Sequence, residues 1–457
     1  MSFSRFSFSV FAAFVLLGTT LLAADLRVGV FDVDVSPPVG SPLAYNRCDA
    51  VAMPLQATGI VLVGADDPIV LCAVDWIGIA NSAHQQWCAR IAEAVGTSAD
   101  RVSVHTLHQH DAPICDFAAD AVLAEYGLNG TMFDVKYAQD CIERVAAAAK
   151  HAMQTASDFT HIGIGEAKVE MVASNRRILG EDGKVRATRY TACRDPELRA
   201  EPEGTIDPML KSISFWNGEQ VLAVITYYAT HPQSYYLKGI ANPDFPGMAR
   251  HLRQVTLNGI PHVHFNGAGG NIGAGKYNDG SPENRQVLAV RMANAMSAAF
   301  QKTERHEVSA SSVSWNTAPI VFPAGEHLNE ESLRAEIGDT NAQEIDRKEA
   351  ARNLVWLRRC GQNDALTVSC LRIGPATIVH MPGEAVVEYQ LYAQQLGGDA
   401  FTAVAAYGDY APGYVCLTEH YAQGGYEASP RASRVSPECE PRLKEAIRAA
   451  MNIETSR

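Results

Sequence analysis

What most constrains the fold is an alternation, kept up along almost the whole chain, of short apolar runs with alanine-rich or amphipathic stretches. Residues 26–35 and 59–74 are rich in valine, isoleucine and leucine, as buried strands are. Residues 83–95 read as a helix, followed by a strand at 101–104. A long alanine-rich helix is expected over 137–155 and a strand over 162–172. Further strands are expected at 221–230, 262–265, 366–380 and 401–407, with helices at 284–300 and 441–451. The charged segment 329–359 reads as one or two surface helices, its charge a solvated face. No internal repeat or low-complexity linker is legible, and residues 197–204 are a loop rather than a boundary. The pattern predicts an α/β fold in a single large mixed-sheet domain, although 457 residues have room for two or three domains.

Composition narrows the function. Hydrophobic residues at 47% and charged residues at 19% exclude wholesale disorder. The net charge of -13, with no stripe of lysine or arginine, speaks against a nucleic acid partner and for a small-molecule, lipid or glycan substrate. Residues 1–24 read as a signal peptide: Arg5, an apolar run from Val10 to Leu22, then Ala23 and Ala24. An uncleaved anchor is the alternative. A catalytic domain at 25–457, secreted or periplasmic and with no transmembrane span after signal removal, is the expectation. The ten cysteines contain no CxxC pair, so a cysteine zinc cluster is excluded; Cys360 with Cys370 is the disulfide to expect first.

Polar clusters occur where the predicted strands stop, the place where α/β proteins gather reactive groups. The first is "HTLHQHDAP", residues 105–113, in which residues two apart along an extended segment let His108 and His110 share a face. The second, "YYATHPQS" at 227–234, puts His231 at the end of an apolar strand. The third is "HMPGEAVVEY" at 380–389, where Pro382 and Gly383 turn the chain and Glu384 starts a helix. The fourth, residues 407–428, is rich in tyrosine and glycine. Imidazole and carboxylate are good zinc ligands. Each residue also has a plain reading: a hydrogen-bonded histidine, a helix-terminus glutamate, a packed aromatic loop. No HExxH-type motif joins the clusters, and spacing leaves both readings open.

The order and wording of the clusters resemble the neutral ceramidase family. "HQHDAP" (108–113) is similar to that family's "HTHSGP", "ATHP" (229–232) to its "ATHG", and "PGE" (382–384) to its own. Residues 410–427 resemble its "YxxHYxTxxEEYxxQxYE" stretch, "ASNRR" around Arg176 its "INRSP", and "DFPG" (244–247) is a further shared element. The resemblance runs from about Gly29 to Glu427 and implies the catalytic domain of that family. It implies a zinc ion held by His108, His231, Glu384 and Tyr414, with His110 beside the metal and Arg176 and Tyr426 contacting substrate. The family's "GDVSPN" corresponds to "GGNIGAG" (269–275), with Gly273 in place of the active-site serine and Asn271, a substrate-binding candidate, in place of the aspartate. The family's C-terminal immunoglobulin-like domain has no counterpart, since the chain runs only about thirty residues past the last motif.

These residues predict a zinc-dependent amidohydrolase of ceramidase type, acting on an amide or ester through water activated at the metal. His110 would carry a proton or stabilise an oxyanion, together with Tyr414 and Tyr426. The glycines at 269, 270, 273 and 275 would leave room for a bulky substrate, or else permit a tight backbone turn. A zinc-dependent lyase on uronic-acid polysaccharide is the second reading, with Arg176 and zinc neutralising the carboxylate. A non-catalytic zinc-containing binding protein is the third.

Overall fold

The computed structural model describes residues 26–453, so the expected signal peptide at 1–24 lies outside the described residues. Three antiparallel strands come first: β1 (Arg27–Asp34), β2 (Gln56–Gly64) and β3 (Asp66–Val74). A crossover helix, α1 (Asn81–Val95), returns the chain as β4 (Val102–Thr106), parallel to β3. After the short α2 (Phe117–Ala124), the long α3 (Val135–Gln154) packs back over α1 and β1. Its apolar face carries Ala138, Cys141, Ile142, Val145, Ala149 and Ala152 at helical spacing, and Asp134 caps its start. Gly29 lets it come close, because a Cβ there would lie 2.0 Å from the Ala152 carbonyl oxygen.

The same unit then recurs twice. Strands β5 (His161–Lys168), β6 (Met209–Asn217) and β7 (Gln220–Tyr228) are antiparallel, α4 (Asp244–Thr256) crosses over, and β8 (His262–Asn266) lies parallel to β7. Helix α5 (Pro282–Gln301) packs over α4 and β5, and β9 (Glu304–Glu307) adds an edge. In the third unit β10 (Val313–Ile320) leads through α6 (Glu330–Gly338) and α7 (Glu344–Gly361) to β11 (Leu366–Ile373) and β12 (Ala376–His380). Helix α8 (Val387–Gly397) crosses to β13 (Phe401–Ala405), parallel to β12, and α9 (Cys439–Ala450) packs back over α8 and β10. A repeat that the sequence hides is therefore present in the backbone.

The three sheets share one core, in which Leu71, Ile225, Phe265, Leu371, Ile378 and Ala403 meet. At its edge the ends of the three parallel strands are tied together. Thr106 N donates to Tyr407 O (2.9 Å), Ala406 N to Asn266 O (2.9 Å), and Asn266 Nδ2 to Leu107 O (3.3 Å). The loops that carry the polar clusters all start from this junction.

Other differences from the sequence expectations have local causes. Residues 59–74 and 366–380 are hairpins rather than single strands, turned at Gly64 (φ 106°) with Asp66 (φ 54°), and at Gly374 (φ 53°). Strand β6, half polar along its length, was not expected. Glu384 opens no helix but a two-residue strand with Ala385, and α8 follows it. All ten cysteines are free thiols, so the Cys360–Cys370 bridge is absent. No helix among the described residues is long and apolar enough to cross a membrane.

Candidate metal centre

Past the end of β4 the backbone enters the left-handed region at His108 (φ 71°), a conformation uncommon for a residue with a side chain. Its N–H donates to Trp76 O (2.9 Å) and its Nδ1–H to Ile77 O (2.7 Å). This kink, rather than the alternation of an extended strand, brings His108 and His110 to one place. His105 turns away, held by Ala406 O (2.7 Å) and Ser103 Oγ (2.9 Å). Past β7, His231 is fully buried and its Nδ1–H donates to Gly269 O (2.8 Å). A carbonyl can only accept, so both rings carry their proton on Nδ1 and present a lone pair at Nε2.

Glu384 and Tyr414 are brought side by side by a two-residue parallel ladder, Glu384–Ala385 against Tyr414–Val415. Gly383 makes the approach possible: its φ is 69°, and a Cβ there would lie 2.8 Å from Gly413 O. Glu384 Oε2 lies 3.1 Å from His108 Nε2 and 3.3 Å from His231 Nε2. The Tyr414 hydroxyl lies 3.2 Å from His231 Nε2. Tyr410 fixes the other carboxylate oxygen by donating to Oε1 at 2.6 Å. Burial, reinforced by the charge of Arg176, takes His231 down to about 4, so its ring is neutral at pH 7.

His108 Nε2, His110 Nε2 and Glu384 Oε2 are buried and have no hydrogen-bond partner. Orphaned polar atoms converging on one point are costly unless something binds there. Imidazole nitrogen, carboxylate and phenol oxygen together fit a zinc ion. The ligating atoms of His108, His110 and His231 also lie within 4.8 Å of one another, which offers a three-histidine alternative. The tautomer of His110 disfavours it. Gln233 Oε1 accepts from Thr191 Oγ1 (2.8 Å), so its Nε2 donates to His110 Nδ1 (3.1 Å), beside the Tyr45 hydroxyl at 3.0 Å. The His110 proton is then on Nε2, which faces the centre as a donor.

The remaining candidates fall behind the centre. Arg176 is buried, with Nε on Glu427 (3.1 Å) and Nη2 on Gly270 O (2.6 Å) and the Tyr414 hydroxyl (3.0 Å). It backs Tyr414 and is not among the residues that line the cavity. Tyr426 does line it, with its ring 5.7 Å from that of Tyr414. The amide of Asn271 donates to Glu388 (2.9 Å) and accepts from Val387 N (2.9 Å), clamping the start of α8. The four glycines leave no room either. A Cβ at Gly269, Gly270 or Gly275 would strike backbone within 3.0 Å, and one at Gly273 would meet Thr191 Cγ2 at 2.7 Å. Of the residues the sequence reading missed, Tyr410 sat inside the tyrosine-rich cluster and Gln233 inside the cluster at 227–234, while Tyr45 carried no signal at all.

A cavity of about 500 Å³ opens from His108, His110 and Glu384 towards α6 and α7. With this geometry in hand, comparison with solved structures is informative. A ceramidase complexed with C2 superposes with a TM-score of 0.68 at 16% identity, covering 95% of this chain and 77% of that one. Neutral ceramidase from Pseudomonas aeruginosa superposes with a TM-score of 0.66 at 16% identity, covering 95% and 76%. The fold is that of the neutral ceramidases. At this identity the likeness establishes architecture alone. Neither protein-family models nor curated protein sequences give a match to the chain.

Proposed function

We propose that this chain is a secreted, zinc-dependent hydrolase that cleaves an amide or ester bond with water, as its ceramidase fold relatives suggest. One observation carries the reading: buried, partnerless His108 Nε2 and Glu384 Oε2 converge beside His231 Nε2 and the Tyr414 hydroxyl. His108, His231, Glu384 and Tyr414 would hold the ion. When bound, zinc supplies Lewis acidity and makes a water acidic enough to react near neutral pH.

The chain's own groups do the rest. Ile77 O and Gly269 O fix the two histidine tautomers, and Tyr410 fixes the carboxylate. His110 Nε2–H would donate a hydrogen bond to the substrate carbonyl oxygen as charge builds there. Burial above all pushes His110 well below its ordinary value, so the ring is neutral and keeps its Nε2–H as a hydrogen-bond donor. Tyr426, raised by burial to about 12, remains a hydroxyl donor at the rim. With glycine at 273, no serine hydroxyl assists.

A uronate lyase is the second reading, favoured by the tyrosines of the cavity, where Tyr45 is 40% exposed and Tyr426 packs against the exposed Tyr190. It ranks lower because Arg176, its carboxylate-neutralising group, is already committed to Glu427, Gly270 and Tyr414. Metal content and product analysis test both. The purified protein should hold one zinc per chain and release an acid with an amine or alcohol from N-acyl lipids or amides. His108→Ala and Glu384→Ala should lose the zinc and lower kcat/KM by about a thousandfold or more. Full zinc and full activity in those variants would sink the assignment. A new ultraviolet-absorbing double bond from uronate glycans would favour the lyase.

A further inference from the structure

The cavity has a second end, walled by α7 and the 430–434 segment, that the proposed chemistry does not use. Arg352 on α7 lines it and is only 8% exposed. Its Nη1 donates to Glu349 Oε2 (2.9 Å), but Nε and Nη2 are buried without a partner. A guanidinium offers its donors in a rigid fork, and two of them left unmade on a buried cavity wall are costly.

The neighbouring charged groups do not take up these donors. Glu349 is shared, for its other oxygen pairs with Arg434, which is also buried. Arg434 spends its other donors on Asn353 Oδ1 (2.6 Å) and Ala411 O (3.2 Å). Arg352 and Arg434 therefore share Glu349, and the unused donors belong to Arg352, while Glu336 and Asp346 also line the cavity. Tyr410 links the two ends of the cavity. Its ring lies 5.1 Å from the Arg352 guanidinium carbon, and its hydroxyl holds Glu384.

We propose that Arg352 determines specificity: the cavity takes a substrate bearing a carboxylate, seated on Arg352 Nε and Nη2 while the bond to be cleaved lies at His108 and Glu384. This deepens the hydrolase reading and rests on it for the position of that bond. Planar, paired donors of this kind suit a carboxylate. An N-acyl amino acid and a uronate both supply one.

The experiment is a binding titration on the full chain, with and without added zinc, so that it needs no turnover. The probes are N-octanoylglycine against N-octanoylglycinamide, and methyl glucuronide against methyl glucoside. At least one carboxylate should bind about tenfold or more tighter than its neutral partner, the worth of one charge-assisted contact. Arg352→Gln should abolish the preference, Arg352→Lys should keep part of it, and Glu349→Gln, which frees Nη1, should increase it. Which pair responds tells the acyl source from the sugar. Equal binding of acid and neutral probe in both pairs would overturn the proposal. So would a preference that survives Arg352→Gln and disappears without zinc, since the carboxylate would then be sitting on the metal. If the preference holds but no bond is cleaved, the hydrolase reading fails and the subsite stands.

Discussion

A Cβ built at Gly273 would lie 2.7 Å from Thr191 Cγ2 and 3.3 Å from Arg176 Cδ. The backbone there is not left-handed, so the obstacle to a serine is space rather than conformation. Thr191 cannot simply swing aside, because its hydroxyl orients Gln233, which in turn sets the tautomer of His110. Gly273→Ser should therefore destabilise the protein by about 1–3 kcal/mol, as overpacking does. Adding Thr191→Ser, which removes the obstructing methyl and keeps the hydroxyl, should restore most of that loss. Thermal unfolding of both variants checks this, and a single variant as stable as the parent would refute it. At this scale the sequence is most legible where a motif names a chemistry: His108, His231, Glu384 and Tyr414 do come together. It is least legible where the role depends on a neighbour. Nothing in the wording around Asn271 or Arg176 says that their polar atoms are already taken.

Between elements, the buried pair Arg250–Asp75 joins the first two units of the repeat. Arg250 on α4 grips Asp75, just past β3, through Nη1 (2.8 Å) and Nη2 (2.7 Å), and Gln56 on β2 completes the network. Removing one partner strands a charge in the interior, so Asp75→Ala should cost roughly 3–5 kcal/mol. Replacing both, with Asp75→Leu and Arg250→Met, should recover much of it. A shift in urea midpoint measures both, and an unchanged midpoint for Asp75→Ala would show that the units do not depend on this link. Strands and helices were readable because apolar period and composition are local. The hairpins at Gly64 and Gly374 were not, since each joins two apolar runs with only a few turn residues. The threefold unit escaped notice because it is a property of pairing and packing, which sequences as dissimilar as 26–154, 161–301 and 313–450 can each satisfy.

For the whole molecule, the histidines outside the centre set how the fold responds to acid. His105 and His264 are buried and held at about 3, by burial above all; His262 and His380 are likewise pushed well below their ordinary value. His262 and His264 on β8 meet over Thr226 Oγ1 on β7, at 3.0 and 2.9 Å. In the unfolded chain each would take a proton near pH 6.5. A depressed histidine therefore contributes its full stability above 6.5 and loses it as pH falls towards the folded value. Each costs about 1.4 kcal/mol per pH unit across that window. Asp116, raised by burial to about 6, works the other way, since its contribution grows as pH falls from 6 towards 4. One aspartate does not offset four histidines. The metal-free protein should thus lose about 10 °C or more in melting temperature between pH 6.5 and 4.5. Working without metal keeps release of any bound ion from contributing. His262→Gln, which removes one titrating ring, should shrink the acid loss even if it lowers the melting temperature at pH 7. A melting temperature that holds flat down to pH 4.5 would mean that these rings are protonated in the folded state at no cost, and that they are not buried among apolar neighbours as described.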